Sequence, residues 1–285
     1  MPELPEVDVL ARHLRPLLKG KVICAVEVRR EKVLRPTSPA LFKKTLRGAK
    51  FLGLQRRGKY LLFELRLADS REKFFLLGHL GMTGRMYLAP KTDPFPKHAA
   101  VILNLGAKNF IYEDTRYFGR LTLDVSAAEK LGPEPWDKKF TPERFRKKLK
   151  TSRQPVKVKL LDQSLIAGVG NIYASEALFR AGISPRRAAN KISPRAAKKL
   201  LSAVCAVMQE AIDCGSTIPL NFSGRKSDGL FYFGRAVDAS EYYVERLLVY
   251  DRAGQPCAKC QLPIKRIIQA ARSTFYCPHC QKDEE

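Results

Sequence analysis

Met-Pro-Glu-Leu-Pro-Glu opens the chain, and removal of Met1 leaves Pro2 as a secondary amine beside Glu3 and Glu6. An α-amino group titrates near ~8, more than two units below lysine, so part of it is uncharged at neutral pH and can attack carbon. A secondary amine condensing with an aldehydic carbon gives a cationic iminium, an electron sink for elimination at the neighbouring carbon. Two nearby carboxylates would carry the protons. The same residues also make an ordinary helix start, since carboxylates favour the positive end of the helix dipole.

A second constellation lies near the C-terminus. Cys257, Cys260, Cys277 and Cys280 form a C-x2-C pair, a sixteen-residue gap and a second C-x2-C pair. Four thiolates at that spacing make a closed tetrahedral site for one structural Zn2+, which holds structure and performs no chemistry. His279 lies inside the second pair and is placed outside the ligand set. Between the pairs, Leu262 to Phe275 carries Lys265, Arg266 and Arg272 among β-type apolar residues. That pattern predicts a zinc-pinned hairpin presenting cations to phosphate, with a purely structural knuckle as the alternative.

A third lies between Gln163 and Glu176, reading Gln-Ser-Leu-Ile-Ala-Gly-Val-Gly-Asn-Ile-Tyr-Ala-Ser-Glu. The glycines permit a tight turn, Asn171 sits where an N-cap is expected, and Gly182 closes the helix. A helix N-terminus behind a glycine turn suits a phosphate, and an ordinary helix-turn-helix packing unit explains the segment equally well.

The elements that must position these groups follow from periodicity. Leu10, Leu14, Leu17 and Leu18 recur at helical spacing with Gly20 as a stop, which predicts one N-terminal helix. From Val22 to Asp124 short β-rich runs follow, including 60–65, 74–80, 99–105, 110–114 and 120–124, the pattern of a sandwich or barrel. Residues 126–140, with Gly132, Pro133, Pro135 and Trp136, read as a linker. Thr141-Pro142 and Ser193-Pro194 are capping pairs that open helices. The second carries Leu200, Leu201, Val204, Val207, Met208 and Ile212 on its inner face. Residues 217–240 read as a long loop, uncommon unless it has a function.

The 285 residues suffice for two cores. With 52 Lys and Arg against 28 Asp and Glu, the net charge is +24 and the pI about 9.9. Because long basic blocks are lacking, the excess implies a folded surface for a polyanion. There is no apolar run of ~18 residues, so no membrane partner is expected, and no signal peptide is recognised. Seven cysteines, four at metal spacing, point to a reducing cytoplasm. Cys24, Cys205 and Cys214 lie in apolar stretches, which predicts buried packing.

The start Met-Pro-Glu-Leu-Pro-Glu-Val, the Leu-Leu-Asp-Gln and Ala-Gly-Val-Gly-Asn-Ile-Tyr-Ala-Ser-Glu segments, and Arg-Ser-Thr-Phe-Tyr-Cys-Pro-His-Cys-Gln together resemble the bacterial formamidopyrimidine-DNA glycosylase and endonuclease VIII family. The resemblance runs in order from residue 2 to residue 281. It implies a two-domain α+β protein: an N-terminal β-sandwich with an N-terminal helix, and a helical helix-two-turn-helix domain plus a four-cysteine zinc-finger β-hairpin. The expected boundaries are a catalytic domain at 1–125, a linker at 126–140, the helical domain at 141–244 with a lesion-capping loop at 217–240, and the finger at 245–285.

The family's activity implies excision of an oxidised base from duplex DNA followed by cleavage at the abasic sugar. Carried over by motif, Pro2 is the nucleophile on C1′, Glu3 the acid and base at the sugar, and Glu6 a supporting carboxylate. Lys59, in Arg-Gly-Lys-Tyr-Leu, grips lesion phosphates with His79, Asn171 and Arg272. Met82, in His-Leu-Gly-Met, with Arg116 and Phe118, in Asp-Thr-Arg-Tyr-Phe-Gly, fills the hole left by an extruded base. Zn2+ is the sole cofactor implied, and a cytoplasmic, nucleoid-engaged monomer is expected.

Two departures bear on the substrate. Glu241-Tyr242-Tyr243 stands where a Gly-Tyr-Phe is usual in the oxidised-guanine enzymes, behind a longer loop. Tyr117 stands where a second Arg is common. Met82, Arg116 and Phe118 favour oxidised purines, with oxidised pyrimidines as the alternative. A non-catalytic sensor of damaged or abasic DNA is the rival from another class, and a zinc-bearing RNA binder leaves the N-terminal motif unused.

Overall fold

The computed structural model describes residues 2–67, 70–214 and 247–282. The expected capping loop at 217–240 and Glu241-Tyr242-Tyr243 lie outside them. The described chain divides into two compact units, one reaching Lys130 and the other beginning at Leu131.

In the first unit, helix α1 (Leu4–Leu18) turns Val7, Leu10, Leu14 and Leu18 into the core. Leu17, off that stripe, is exposed. Two four-stranded antiparallel sheets follow. One has the order β1-β6-β7-β5, from strands Ala25–Val28 (β1), Ala99–Asn104 (β6), Lys108–Asp114 (β7) and Gly84–Pro90 (β5). The other has the order β2-β3-β4-β8, from Ala49–Arg57 (β2), Tyr60–Leu67 (β3), Lys73–His79 (β4) and Arg120–Thr122 (β8). Their inner faces share one core in which Phe63 meets Phe51 and Phe110 edge-on at 6.1 and 5.5 Å between ring centres, the geometry ring quadrupoles favour. This is the expected sandwich.

Helix α2 (Pro39–Leu46) interrupts the segment read as β-rich. Its start uses the pair predicted elsewhere: Ser38 Oγ accepts the Leu41 N–H at 3.3 Å, with Pro39 in the first turn. A short helix α3 (Ser126–Glu129) closes the unit. Cys24, expected to be buried, is exposed. It precedes β1, a four-residue edge strand with no buried side chain.

The second unit is helical. Thr141 and Ser193 cap α4 (Pro142–Lys150) and α7 (Pro194–Asp213) by accepting the Arg144 and Ala196 amides at 3.4 and 3.2 Å. All six predicted apolar residues of α7 are buried. Between them lie α5 (Val156–Leu160) and α6 (Asn171–Ala181), and α6 packs on both α7 and the strand Arg272–Tyr276. Gly182 ends α6 in the left-handed conformation, φ +68°. Strands β9 (Lys265–Gln269) and β10 (Arg272–Tyr276) form the hairpin predicted between the cysteine pairs. No helix among the described residues is long and apolar enough to cross a membrane.

Candidate functional site

At the N-terminus, Glu3 and Glu6 form a capping box that closes the first turn of α1. The Glu3 N–H donates to Glu6 Oε2 at 2.7 Å, and both side chains are buried. Glu6 is thereby committed to holding the backbone that carries Pro2 and Glu3. The helix is tied to β2 by Arg56, whose Nε donates to Asp8 Oδ1 at 2.8 Å, and by Arg15 Nε, which donates to the Leu54 carbonyl at 2.9 Å. β2 then turns through Gly58, at φ +56°, into Lys59, which is buried although it is a lysine.

His79 pairs with Tyr60 across β3 and β4, ring centres 4.9 Å apart, and with Arg120 on β8. Burial, reinforced by the Lys59 and Arg120 cations, holds its pKa down to about 4. Its Nδ1 accepts the Gly81 N–H at 3.3 Å. A neutral imidazole accepting at Nδ1 carries its proton on Nε2, so His79 offers a neutral N–H donor beside the Lys59 ammonium.

Two tight loops, one between β4 and β5 and one between β7 and β8, are locked together by one carboxylate. Asp114 is fully buried. Its Oδ1 accepts from Thr83 Oγ1 at 2.6 Å and the Arg116 N–H at 3.1 Å, and its Oδ2 from the Gly119 N–H at 2.9 Å and Tyr112 Oη at 3.3 Å. The loops touch where no side chain fits: a Cβ on Gly81 would lie 2.6 Å from the Gly119 nitrogen. Their tips carry Met82 and Phe118, 48% and 56% exposed, and Arg116, whose Nη1 lies 3.5 Å from Met82 Sδ. The three residues that the resemblance groups together therefore lie on two adjoining loop tips as exposed apolar and cationic side chains. Tyr117, at φ +53°, is turned inward against the core.

In the second unit, the turn ahead of α6 is stapled by Gln163. Its Nε2 donates to the Leu161 and Val169 carbonyls at 3.0 and 2.7 Å, and its Oε1 accepts the Gly168 N–H at 2.9 Å. The N-cap is Gly170, and Asn171, expected there, is the first helical residue. Its side chain is directed elsewhere: Oδ1 accepts from Lys157 Nζ at 2.5 Å, and Nδ2 donates to the Ser273 carbonyl at 2.9 Å. Lys157 is fully buried, and its ammonium is solvated in part by the Asn171 oxygen and by the Ser273 carbonyl at 3.5 Å. Asn171 thus joins the α5–α6 module to the hairpin, with Arg272 exposed beside Ser273. Glu176, buried on α6, accepts the Leu248, Val249 and Tyr250 amides at 2.8 to 2.9 Å. Burial pushes its carboxyl up while those donors oppose the shift.

The four cysteine sulfurs lie within 4.8 Å of one another. The Cys260–Cys277 and Cys257–Cys280 sulfurs are 3.4 and 3.9 Å apart, bracketing the ~3.8 Å edge of a tetrahedron with Zn–S bonds of ~2.3 Å. The Lys259 and Cys280 amides point at Cys257 and Cys277 Sγ at 3.4 Å each. The donor set fits Zn2+, and His279 is exposed and outside the cluster.

Three family models match consecutive parts of the chain. They are the formamidopyrimidine-DNA glycosylase N-terminal domain over residues 1–121, its H2TH domain over 131–221, and the zinc finger found in FPG and IleRS over 254–282. The chain belongs to the formamidopyrimidine-DNA glycosylase family. Members from Carboxydothermus hydrogenoformans and Paracoccus denitrificans are each 39% identical to it, with 99% of this chain and 100% of each relative aligned. Among solved structures of the glycosylase family, Lactococcus lactis FPG bound to abasic-site DNA aligns at TM-score 0.85 and 32% identity. A mutant of it bound to Fapy-dG DNA aligns at 0.86 and 33%, and both cover 99% of this chain and 100% of that one.

In this glycosylase, Asp114, Lys157 and Glu176 are the supporting residues that sequence reasoning passed over. Each left one signal, a charge at the end of or inside an apolar run: Phe-Ile-Tyr-Glu-Asp, Val-Lys-Val-Lys-Leu and Ala-Ser-Glu-Ala-Leu-Phe.

Proposed function

We propose that this glycosylase removes oxidised purines, 8-oxoguanine and formamidopyrimidines, from duplex DNA and then cleaves the strand as an AP lyase through a Schiff base on Pro2. The observation that carries the reading is the buried capping box, which holds Pro2 and the Glu3 carboxylate at the start of a helix bolted to the sheet bearing Lys59 and His79. The Lactococcus lactis FPG complexes with Fapy-dG and abasic-site DNA support the substrate class.

In this reading the Pro2 amine attacks C1′ and the damaged base leaves with a proton from Glu3. The sugar ring opens to the iminium, which draws electrons from the C2′–H bond as a base removes that proton, and the 3′ phosphate departs. A second elimination releases the sugar and leaves a one-nucleotide gap. Lys59 and the His79 Nε2–H bind phosphate oxygens at the lesion, and Asn171 and Arg272 bind further phosphates. Met82 and Phe118 fill the vacated stack while Arg116 bonds the widowed base. Zn2+ shapes the finger and takes no part in the reaction. The domains we assign are 1–125, 126–140, 141–244 and 245–285.

The test is borohydride trapping of the Met1-free protein on a duplex carrying 8-oxoguanine opposite cytosine, beside an abasic duplex. A covalent adduct on the first is expected, and Pro2→Gly should slow or change the lyase step with binding largely intact. Trapping on the abasic duplex alone would keep the lyase and move the lesion to another class, such as oxidised pyrimidines. Binding of both without trapping would make the protein a damage sensor.

A further inference from the structure

Beside the loop that carries Phe118, the chain leaves β1 through Arg29 and Arg30 and makes one 3-10 turn, Glu31–Leu34. Buried Val33 and Leu34 anchor that turn in the core against β8. Thr37 adds a second anchor, its hydroxyl 2.8 Å from Thr122 Oγ1 and accepting the Leu123 N–H at 3.1 Å. The cations of the segment are therefore held outward by a rigid support.

They are not equivalent. Arg29 is engaged, with Glu27 Oε1 at 2.6 Å and the Phe95 ring centre at 4.6 Å. Arg30 and Lys32 are exposed, and among the described residues neither has a carboxylate partner. What they face are the rings of the loop: the Arg30 guanidinium lies 5.2 Å from the Tyr117 ring centre, and the Lys32 ammonium 5.9 Å from that of Phe118. Tyr117 is half-buried and packs against the core, so Arg30 rests on a supported ring, whereas Phe118 projects into solvent.

Duplex DNA carries one negative charge per ~1.7 Å of axis. A ring inserted into the stack therefore has phosphates at the edge of its own base step, and a cation one ring-contact away is placed to meet them. We propose that Arg30 and Lys32 form a phosphate clamp that grips the backbone flanking the base step entered by Phe118. The clamp rests on the reading of Phe118 as the residue that fills the vacated stack. It also gives Tyr117 a purpose: the aromatic residue at that position seats a cation supplied by a different segment of the fold.

The experiment is the salt dependence of binding to a duplex containing a tetrahydrofuran abasic analogue, for the wild type, Arg30→Ala, Lys32→Ala and the double variant. Each lost phosphate contact should reduce the slope of log K against log salt by about 0.9, and the pair by about 1.8. Arg30→Lys and Lys32→Arg should retain the wild-type slope. Both residues are exposed, so the variants are expected to fold, with melting curves as the check. Wild-type slopes for both alanine variants would overturn the clamp, as would charge-preserving swaps that lose as much as alanine. If the wild type shows no preference for the tetrahydrofuran duplex over an intact one, the damaged-DNA reading itself fails, and the clamp with it.

Discussion

The loop pair carrying Met82, Arg116 and Phe118 and the hairpin carrying Arg272 are both short and exposed, and the proposed function assigns both to DNA, yet opposite devices hold them. The loops are locked from inside by the buried Asp114 carboxylate, with four donors from Thr83, Tyr112, Arg116 and Gly119. The hairpin is held at its base by four thiolates and at its flank by the Lys157–Asn171–Ser273 contact. Loops next to a large core can spend a buried charge on order because the sandwich supplies the surrounding packing. The finger has a small apolar cluster around Val249, Ile264 and Phe275, and a segment that small needs a metal to fold.

The contrast is broken most severely at the metal. Cys257→Ser should release zinc and unfold the finger, since structural zinc contributes on the order of 10 kcal/mol. A zinc-binding dye and a DNA titration read the two losses together, and zinc-free protein with wild-type affinity would make the finger incidental to binding.

Asp114→Asn is the counterpart in the first unit. The amide turns a donor toward a ring of donors, which should cost about 3 kcal/mol, read as a lowered Tm. Because the damage is confined to the loops, base excision should fall further than cleavage of a preformed abasic site, where no base must be extruded. Equal losses in both assays would show that Asp114 serves general stability alone.

His79 sharpens the comparison through pH. Its folded pKa, about 4, lies below the unfolded ~6.5, so its contribution is complete above pH 6.5 and is lost as pH falls toward 4. Over that window the unfolded chain binds a proton that the folded one refuses, worth roughly 2 to 3 kcal/mol. Denaturant melts of the wild type and His79→Gln between pH 7 and 4 should converge, and parallel curves would contradict a neutral, partly buried imidazole.

The smallest effect lies at the hairpin tip. Ala270 and Ala271 both hold positive φ, +47° and +58°, where Asn-Gly is the favoured pair. Ala270→Asn with Ala271→Gly should relieve strain of about 1 to 2 kcal/mol and slow zinc release by EDTA. An unchanged or faster release would show that the finger does not feel its own turn.

The sequence was most readable where one residue type has one physical use. Thr141-Pro142 and Ser193-Pro194 opened the helices they were expected to open, and the same signal at Ser38-Pro39 was available but was submerged in a run read as strands. The C-x2-C pairs converge as predicted. Asn171 shows the limit: a helix-start residue by position, it lies one residue inside the helix, because Gly170 takes the cap and the Asn171 side chain is recruited by Lys157 and Ser273. Cys24 shows another, since an apolar neighbourhood in sequence does not reveal that the strand it precedes lies at a sheet edge.

The sequence alone determined the groups with intrinsic chemistry: a proline at position 2 whose nitrogen is a secondary amine once Met1 is removed, the cysteine quartet, the excess of cations and the periodicities that define helices and strands. These depend on residue identity and on spacings of a few residues, so they survive without a fold. Tertiary structure decided which residues share a contact. Asp114 becomes the lock of two loops, Lys157 a buried cation and Arg30 a neighbour of Tyr117 only once strands and turns far apart in sequence are packed together. Burial, the strength of a hydrogen bond in low dielectric and the cost of an unpaired charge are properties of that packing.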